Sequence, residues 1–269
     1  SVTSIGGGTF SGCSKLTSVV WNARQCVNPE VEPMFGDGQS TPPITSFIFG
    51  EEVEYIPSRL CYNMSKLSSV TIPKNVKKIE NLVFENCTSL LSVTWNAKSC
   101  VGSEDNDDYY GVFGSYNNPA SIVSLVFGGE VEHIPAYLCR HATNIISITI
   151  PKSVKSIGEG AFNSCYSLSK TSYTGSIADW CDIKFDDSYS NPIMLSHNFY
   201  INNQEITELI IPNTVDSIPA YAFDFCKSFT SITIPNSVTF IGKYAFQLCS
   251  NVKSIFIPKS VKCIQEAAF

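Results

Sequence analysis

The sequence is poor in the residues that most often carry chemistry. Its 269 residues include only 3 histidines and 3 tryptophans, and charged residues make up just 16%. So few histidines leave little material for metal binding or acid–base catalysis. Lys plus Arg number 18 against 24 for Asp plus Glu, a net charge of −6, so the basic excess of a nucleic-acid-binding protein is missing. No apolar run approaches the ~20 residues that span a bilayer, so no membrane-spanning segment is predicted.

A short sequence unit recurs along the chain. Thr233–Val238 reads T-I-P-N-S-V, and Phe256–Val261 reads F-I-P-K-S-V, a step of 23 residues. The unit is roughly S-I-T-I-P-x-S-V-x-x-I-G-x-x-A-F-x-x-C-x-x-L. Its V-x-x-I elements are 51, 23, 55, 23, 61, 23 and 23 residues apart, which indicates three longer, irregular units among the regular ones. A unit this short cannot bury its own apolar face, so we expect the units to stack into a solenoid.

Each unit predicts one short strand. The S-I-T-I segment alternates polar and apolar residues and is rich in β-branched ones, and the proline after it lacks the N–H that would continue a ladder. The predicted strands end at Trp21, Phe49, Ile72, Trp95, Phe127, Ile150, Tyr173, Ile211, Ile234 and Ile257. Stacked, they form a parallel sheet on one wall, whereas the short A-F-x-x-C segment predicts a helical or 3₁₀ turn on the opposite wall.

The unit resembles a known family of repeats. Ile211–Ile218, followed by Ala222, Phe223 and Cys226, is similar to the BspA-type leucine-rich repeat, and Trp180–Ile201 resembles an irregular unit common in that family. The resemblance covers essentially the whole chain. It implies a leucine-rich-repeat solenoid and a surface or secreted protein of anaerobic bacteria, with relatives in parasitic protists. The activity that it implies is adhesion to host matrix proteins or cells.

The repeat and this resemblance together predict the fold. We expect an α/β, β-rich leucine-rich-repeat solenoid of about ten units of ~23 residues, three of them longer and irregular. The parallel sheet forms one wall and short helical or 3₁₀ turns form the other. Residues 1–269 are expected to form a single domain, truncated in mid-repeat at both ends.

Five of the 11 cysteines fall into one column of the repeat. They lie eight residues after the isoleucine of V-x-x-I: Cys13, Cys87, Cys165, Cys226 and Cys249. An odd count excludes complete pairing within the chain, and the C-x-x-C pairs of zinc sites are missing. We expect free, buried thiols that act as packing, with Cys226 and Cys249 as the one pair placed for a disulfide. No metal or cofactor is predicted.

Two acidic clusters are the remaining candidates for metal chemistry. One is the run Glu104–Asp108, and the other groups Asp179, Asp182, Asp186 and Asp187. The run lacks the glycine and terminal glutamate of an EF-hand at the right offsets, so solvated loops are favoured and calcium binding stays open as an alternative.

The outward residues of the predicted sheet carry almost no charge. Period-2 alternation places two rows on this face. One row is Ser18, Ser46, Ser69, Ser92, Ser124, Ser147, Lys170, Glu208, Ser231 and Ser254. The other, which we predict to bind a ligand, is Val20, Ile48, Thr71, Thr94, Val126, Thr149, Ser172, Ile210, Thr233 and Phe256. Two interpretations stay open: a merely solvated surface, or a flat recognition strip for an extended polypeptide or glycan.

The sequence favours a non-enzymatic binding module. Neither row supplies the paired carboxylates of a glycosidase, and no serine or cysteine stands in a motif with a base, so no catalytic residue is predicted. We expect part of a cell-surface or secreted, adhesin-like protein that binds a host extracellular matrix or cell-surface protein or glycan. The alternative is a structural, self-assembling surface scaffold without a specific soluble ligand, in which the uncapped ends associate end to end.

Overall fold

The computed structural model describes residues 2–28, 32–36, 41–103 and 110–269. The chain winds as stacked coils, and each regular coil contains one longer strand, one two-residue strand and one segment of turns. The strands in chain order are β1 Ser18–Trp21, β2 Ser46–Phe49, β3 Tyr55–Ile56, β4 Ser69–Ile72, β5 Lys78–Ile79, β6 Ser92–Trp95, β7 Tyr110–Gly111, β8 Gly114–Ser115, β9 Ser124–Phe127, β10 His133–Ile134, β11 Ser147–Ile150, β12 Ser156–Ile157, β13 Lys170–Tyr173, β14 Lys184–Phe185, β15 Tyr200–Ile201, β16 Gln204–Glu205, β17 Glu208–Ile210, β18 Ser217–Ile218, β19 Ser231–Thr233, β20 Phe240–Ile241, β21 Ile255–Phe256 and β22 Cys263–Ile264. The helices are α1 Ile177–Cys181, the 3₁₀ helix Ser188–Ser190 and α2 Ile193–Ser196.

The longer strands form the main wall, which comprises β1, β2, β4, β6, β9, β11, β13, β17, β19 and β21. They lie at the ten predicted positions, which confirms the strand-bearing wall; the last three end one residue earlier than predicted. Paired neighbours run parallel and in register, with Ser18 opposite Ser46 and Ser69 opposite Ser92. The solenoid fold predicted from the repeat is therefore confirmed.

The main wall is not one continuous ladder. Its strands pair as β1–β2, β4–β6–β9, β11–β13 and β17–β19–β21. The residue after a paired strand can extend the ladder, as Gly50 N–H does when it donates to Trp21 O at 2.9 Å. In the part of the chain that the structure describes, no ladder joins β2 to β4 or β9 to β11. The ten strands therefore form separate parallel ladders on this wall rather than the single parallel sheet that was expected.

The V-x-x-I segments form a second wall that the sequence analysis did not predict. Their last two residues pair in parallel, as β3–β5, β10–β12–β14 and β18–β20–β22. The isoleucines of β3, β5, β10, β12, β18 and β20 point inward and are buried, whereas Ile264 of β22 is 46% exposed. A two-residue strand is too short to show alternation in the sequence, so periodicity alone does not reveal it.

The A-F-x-x-C segments form the third wall as hydrogen-bonded turns. Bonds within a coil, such as Tyr62 N–H to Arg59 O at 3.2 Å, alternate with bonds to the next coil, such as Cys61 N–H to Val83 O at 3.0 Å. Two residues of each regular coil adopt left-handed φ, for example Arg59 and Asn63, both at 58°. These left-handed residues stop the turns from continuing as a helix.

The irregular coil at residues 174–207 contains the helices of the described chain. α1 begins at a capping box in which the Ser176 side chain accepts from Asp179 N–H and the Asp179 carboxylate accepts from Ser176 N–H. Trp180, in the same helix, is fully buried. Its Nε1–H donates to Ala222 O at 2.8 Å and so ties this coil to the following regular one.

A β-hairpin, β15–β16, ends this irregular coil. Its two-residue turn, Asn202-Asn203, has φ of 49° and 66°, which is typical of a tight hairpin. β15 pairs with β13, which places Tyr200 opposite Ser172. This hairpin was not predicted, although an Asn-Asn pair between short alternating segments is a hairpin signal.

The cysteine column packs largely as predicted. Cys87, Cys165 and Cys226 are buried free thiols. Cys87 Sγ–H donates to Cys61 O of the preceding coil at 3.0 Å. Burial raises the pKa of the Cys87 thiol to about 12, so the thiol stays protonated and neutral. Packing in a shared column therefore explains these cysteines.

Two members of the column depart from that expectation. Cys13 is exposed, and Cys249 is only partly buried. Cys226 and Cys249 are both free, and Cys249 Sγ–H instead donates to Phe223 O at 3.3 Å. Both thiols of the pair placed for a disulfide therefore have other neighbours.

Candidate functional site

The predicted ligand-binding row follows the outer face of the main wall. Eight of its members are exposed: Val20, Ile48, Thr71, Val126, Thr149, Ile210, Thr233 and Phe256. Thr94 is half-buried, and the Phe256 side chain is 74% exposed. Ser172 is only 6% exposed because the β15–β16 hairpin covers it. Ser172 is therefore not available to a ligand.

The hairpin divides this face into two parts. The N-terminal face comprises the outward residues of β1 to β11, and the C-terminal face those of β17 to β21. Between them, Lys170 Nζ lies 4.6 Å from the centre of the Tyr200 ring, and Glu205 and Glu208 are exposed nearby. The outward side chains of the described main wall are otherwise hydroxyl or apolar, so its charge is concentrated at the hairpin.

Two grooves cross the N-terminal face where the ladders are missing. Groove 1 has a volume of about 250 Å³ and is lined by Thr45–Phe49 and Ser69–Thr71. Groove 2, of about 510 Å³, is lined by Val123–Phe127, Gly129, Ser147, Thr149, Pro151 and Thr174. Neither lining contains an ionisable residue. The two grooves therefore offer hydroxyl groups, backbone and aliphatic side chains to a ligand.

A third groove lies at the edge of the main wall, among the loops that follow its strands. It has a volume of about 590 Å³, and its lining includes Glu51, Glu52, Lys74 and Glu130. All four charged side chains are exposed to solvent. Charges in that setting are screened and contribute little unless a partner desolvates them.

A serine and a histidine meet on the second wall, which the sequence analysis did not anticipate. Ser156 Oγ lies 2.8 Å from His133 Nδ1. Burial lowers the pKa of His133, against the opposing effect of Asp186. Asp186, the carboxylate whose charge acts on the imidazole, accepts a hydrogen bond from Lys184 Nζ at 2.7 Å. The contact is therefore a side-chain hydrogen bond between neighbouring coils rather than an assembled catalytic triad.

Two of the four acidic residues predicted as a cluster in the irregular coil, Asp179 and Asp187, accept hydrogen bonds from its backbone. Asp179 belongs to the α1 capping box, and hydrogen bonds from Ser176 lower the pKa of the Asp179 carboxyl. Asp187 accepts from Ser190 N–H at 2.7 Å and from Gly160 N–H at 3.1 Å. These carboxylates cap local turns and do not converge on one point. The run Glu104–Asp108 lies outside the described residues.

The described part of the chain holds neither a metal-binding cluster nor a helix that could cross a membrane. Residues 2–28, 32–36, 41–103 and 110–269 contain no group of three or more His, Cys, Asp or Glu side chains arranged to hold a metal ion. Within the same ranges, no helix combines the length and apolar character needed to cross a bilayer.

Solved structures of similar topology are bacterial leucine-rich repeat proteins. One from Bacteroides ovatus is 17% identical, with 98% of this chain and 76% of that chain covered and a TM-score of 0.44. One from Eubacterium ventriosum is 18% identical, with 99% and 79% covered and a TM-score of 0.44. A leucine-rich cell surface protein from Faecalibacterium prausnitzii is 21% identical, with 95% and 79% covered and a TM-score of 0.35.

The sequence itself matches a family model. A comparison with curated proteins finds no significant match. The model of the BspA type leucine rich repeat region matches in 6 copies, over residues 1–99, 113–192 and 193–269. These residues include the regular coils as well as the irregular coil with its buried Trp180. The chain therefore belongs to the BspA-type leucine-rich repeat family.

Proposed function

We propose that this chain is a single elongated, non-enzymatic binding domain of a bacterial cell-surface or secreted protein. Its partner is a host extracellular protein or glycan. The contact surface is the outer face of the main wall, through Val20, Ile48, Thr71, Thr94, Val126, Thr149, Ile210, Thr233 and Phe256. One observation carries the proposal. This face exposes a row of aliphatic and aromatic side chains beside a row that is mostly serine, and almost none of its outward side chains is charged.

The physical basis is burial of apolar surface on a rigid platform. Val20, Ile48 and Val126 are each more than half exposed although they belong to ordered strands. Covering such side chains contributes roughly 25 cal/mol per Å² of apolar area. Because their backbone is already fixed by the stacked coils, little further ordering is needed when a partner binds.

The surroundings of this face support a binding role over a catalytic one. Leucine-rich repeat families typically bind other molecules and do not catalyse reactions, and this chain belongs to one of them. The outward hydroxyl groups lack the convergent acids and bases that bond cleavage needs. An uncharged surface instead suits recognition by shape and apolar contact.

A binding screen with matched variants tests the proposal. The full chain is immobilised and exposed to purified extracellular matrix proteins and to a glycan array, with and without a chelator. For any partner captured, Val126→Glu should weaken binding by at least about tenfold, because a charge is then buried against an apolar contact. Ser217→Glu, on the second wall, is the control and should change the affinity by less than about twofold.

Other outcomes of the screen contradict the proposal. Binding that survives both Val126→Glu and Ile48→Glu would assign recognition to the loops. Binding that falls steeply with salt would indicate a charged contact surface. Self-association that rises with concentration in sedimentation, without capture of any partner, would favour the structural scaffold.

A further inference from the structure

Two exposed tyrosines lie on the third wall, the wall of turns. The Tyr116 side chain is 66% exposed and that of Tyr166 is 74% exposed, more than any other tyrosine of the described chain. Tyr116 belongs to an irregular unit, where Phe84 N–H donates to Val112 O at 3.1 Å and so continues the turns of this wall. Tyr166 follows the column cysteine of a regular coil. Both rings therefore leave most of their surface open to a ligand.

The two exposed rings differ from an aromatic ring that is covered on the same wall. Lys243 Nζ lies 4.7 Å from the centre of the Tyr244 ring, and the same ring stacks on Tyr221 at a centroid distance of 5.6 Å. Within the described ranges, no cation lies over the ring of Tyr116 or Tyr166. Their ring faces are therefore available for stacking.

Contacts with packed turns hold both rings in place. Tyr116 packs edge-to-face against the ring of His141 at a centroid distance of 5.7 Å. Tyr166 Oη lies 3.2 Å from Ser164 Oγ, which is also 3.1 Å from Asn163 Oδ1. His141 and Ser164 are each only 7% exposed, so the groups that position the two tyrosines are themselves buried. A ligand that stacks on these rings has little further ordering to impose.

The spacing of the rings matches an extended glycan chain. Tyr116, His141 and Tyr166 belong to successive coils, and His141 N–H donates to Asn163 O of the next coil at 3.0 Å. Two steps between neighbouring coils correspond to about 10 Å at the ~4.8 Å spacing of strands. A pyranose unit of an extended chain advances by about one such step. Alternate sugars of a β-1,4-linked chain present the same face, so sugars n and n+2 can stack on the two tyrosines.

The chemistry around the rings suits a neutral sugar. The tyrosine patch comprises Tyr116, Asn118, His141, Asn163, Ser164 and Tyr166. It contains no carboxylate, lysine or arginine, and its one imidazole is buried. Sugar rings pack their C–H groups against aromatic faces. The exposed Asn118 and the half-buried Asn163 carry amides that can donate to and accept from sugar hydroxyl groups.

A polypeptide is a less suitable occupant, because an added strand needs unused backbone groups. In the patch, the backbone N–H groups already serve the turns. Asn163 N–H donates to Gly160 O at 3.0 Å, and Cys165 N–H donates to Phe162 O at 3.1 Å. An N–H that already donates cannot recruit a further strand, so side chains carry the recognition here.

We propose that the tyrosine patch binds a neutral, extended glycan chain, with sugars n and n+2 stacked on Tyr116 and Tyr166. This inference goes beyond the proposed function, because the patch lies on the third wall and not on the outer face of the main wall. Two linked stacking positions make the affinity depend on the length of the glycan.

Oligosaccharides of defined length test the assignment. The full chain is titrated by isothermal calorimetry with di- and trisaccharides of β-1,4-linked glucose, mannose and N-acetylglucosamine. For at least one of these sugars, the trisaccharide should bind at least about tenfold more tightly than the disaccharide, because only three units reach both rings. Tyr116→Ala and Tyr166→Ala should each weaken binding of that trisaccharide by about tenfold. Tyr116→Phe should keep the affinity within about threefold, since the ring remains.

Tyr244→Ala is the matched control. Tyr244 belongs to the same wall, but its ring is already covered by Tyr221 and Lys243, and it lies in a later coil than Tyr166. The substitution should change the affinity by less than about twofold. Circular dichroism and denaturant unfolding of all four variants verify that each is folded.

Three results overturn this inference: equal affinity for di- and trisaccharides, equal loss in Tyr244→Ala, or no binding of any trisaccharide at millimolar concentration. Trisaccharide binding that is lost in Val126→Glu and kept in Tyr116→Ala would place the glycan on the main wall and would also overturn it. If a matrix protein is captured through contacts sensitive to Val126→Glu while no trisaccharide binds, the proposed function stands and this inference fails alone.

Discussion

The regular coils and the irregular coil at residues 174–207 reach the same stacked geometry by different interactions. Regular coils are joined by backbone ladders and turns that recur every 23 residues. The irregular coil relies more on side chains. Asn191 Nδ2–H donates to Tyr221 O at 2.8 Å and Ala222 O at 2.9 Å, and Ser190 Oγ–H donates to Gly158 O at 2.9 Å.

This difference between backbone and side-chain contacts indicates where the chain tolerates substitution. A backbone ladder needs an N–H and a C=O, which almost every residue supplies. A buried side-chain hydrogen bond needs one particular residue, and its loss leaves a buried polar group without a partner. We therefore expect a substitution that removes a side-chain hydrogen bond of the irregular coil to lower stability more than a substitution in a regular coil whose contacts are made by the backbone.

The largest effect is expected at Trp180. Its ring packs against Tyr173, Phe185 and Phe199 at centroid distances of 4.7 to 5.3 Å. Trp180→Ala should lower the free energy of unfolding by about 3–5 kcal/mol, since it leaves a large cavity and removes a buried hydrogen bond. Denaturant unfolding measures this. Tyr189→Ala, at a more exposed position of the same coil, should cost less than about 1 kcal/mol; equal costs would show that Trp180 does not anchor the coil.

An intermediate effect is expected from the pH dependence of Asp224, which faces the irregular coil near Ser188. Desolvation raises the pKa of its carboxyl to about 6, although Ser188 and the Phe225 amide oppose the shift. Because the folded chain holds this proton more tightly than the unfolded chain, the contribution of Asp224 to stability falls as pH rises from about 4 to 6. The fall amounts to at most about 3 kcal/mol.

Asp224→Asn should remove that fall, because the amide does not titrate. The measurement is the free energy of unfolding of both chains at several pH values between about 4 and 7. The difference in the free energy of unfolding between the two chains isolates the effect of Asp224, because other groups stabilise the fold more as pH rises and contribute equally to both chains. One such group is Glu54, whose pKa is lowered to about 2, first by the hydrogen bond from Arg24. Parallel pH profiles would contradict the assignment.

The smallest effect is expected in a regular coil, at the cysteine column. Cys87→Ala removes the Sγ–H bond to Cys61 O and a small buried volume, so it should lower the free energy of unfolding by about 1–2 kcal/mol. Cys13→Ala changes the exposed member of the same column and should cost less than about 0.5 kcal/mol. Both values come from thermal or denaturant unfolding under reducing conditions. If Cys13→Ala were as costly as Cys87→Ala, burial in the column would not explain the difference.

Much of the fold was predictable because its signals are local. The repeat gives the stack, and alternation within each strand gives the side of the sheet to which Ile48 or Val126 points. The second wall was not predictable in this way, because its strands are only two residues long and are too short to show alternation. The burial of His141 was also not predicted, and the ring that it contacts, Tyr116, belongs to an irregular unit.

The candidate site was likewise predictable only where its signals are local. The exposed row follows from alternation, but Ser172 is buried by a hairpin whose position depends on how the irregular coil folds back. The two grooves depend on which neighbouring strands pair. The strands beside each groove alternate in the sequence as the paired strands do, so alternation does not reveal where a ladder is missing.

The breaks in the main wall show that the three walls of a coil need not all pair with the next coil. At both grooves the coils on either side stay joined through the second wall, as β3–β5 and β10–β12, and through the turns. One wall of a coil can therefore change its pairing while the other two hold the stack. Duplication of a three-coil block would add a groove of this kind without a new fold.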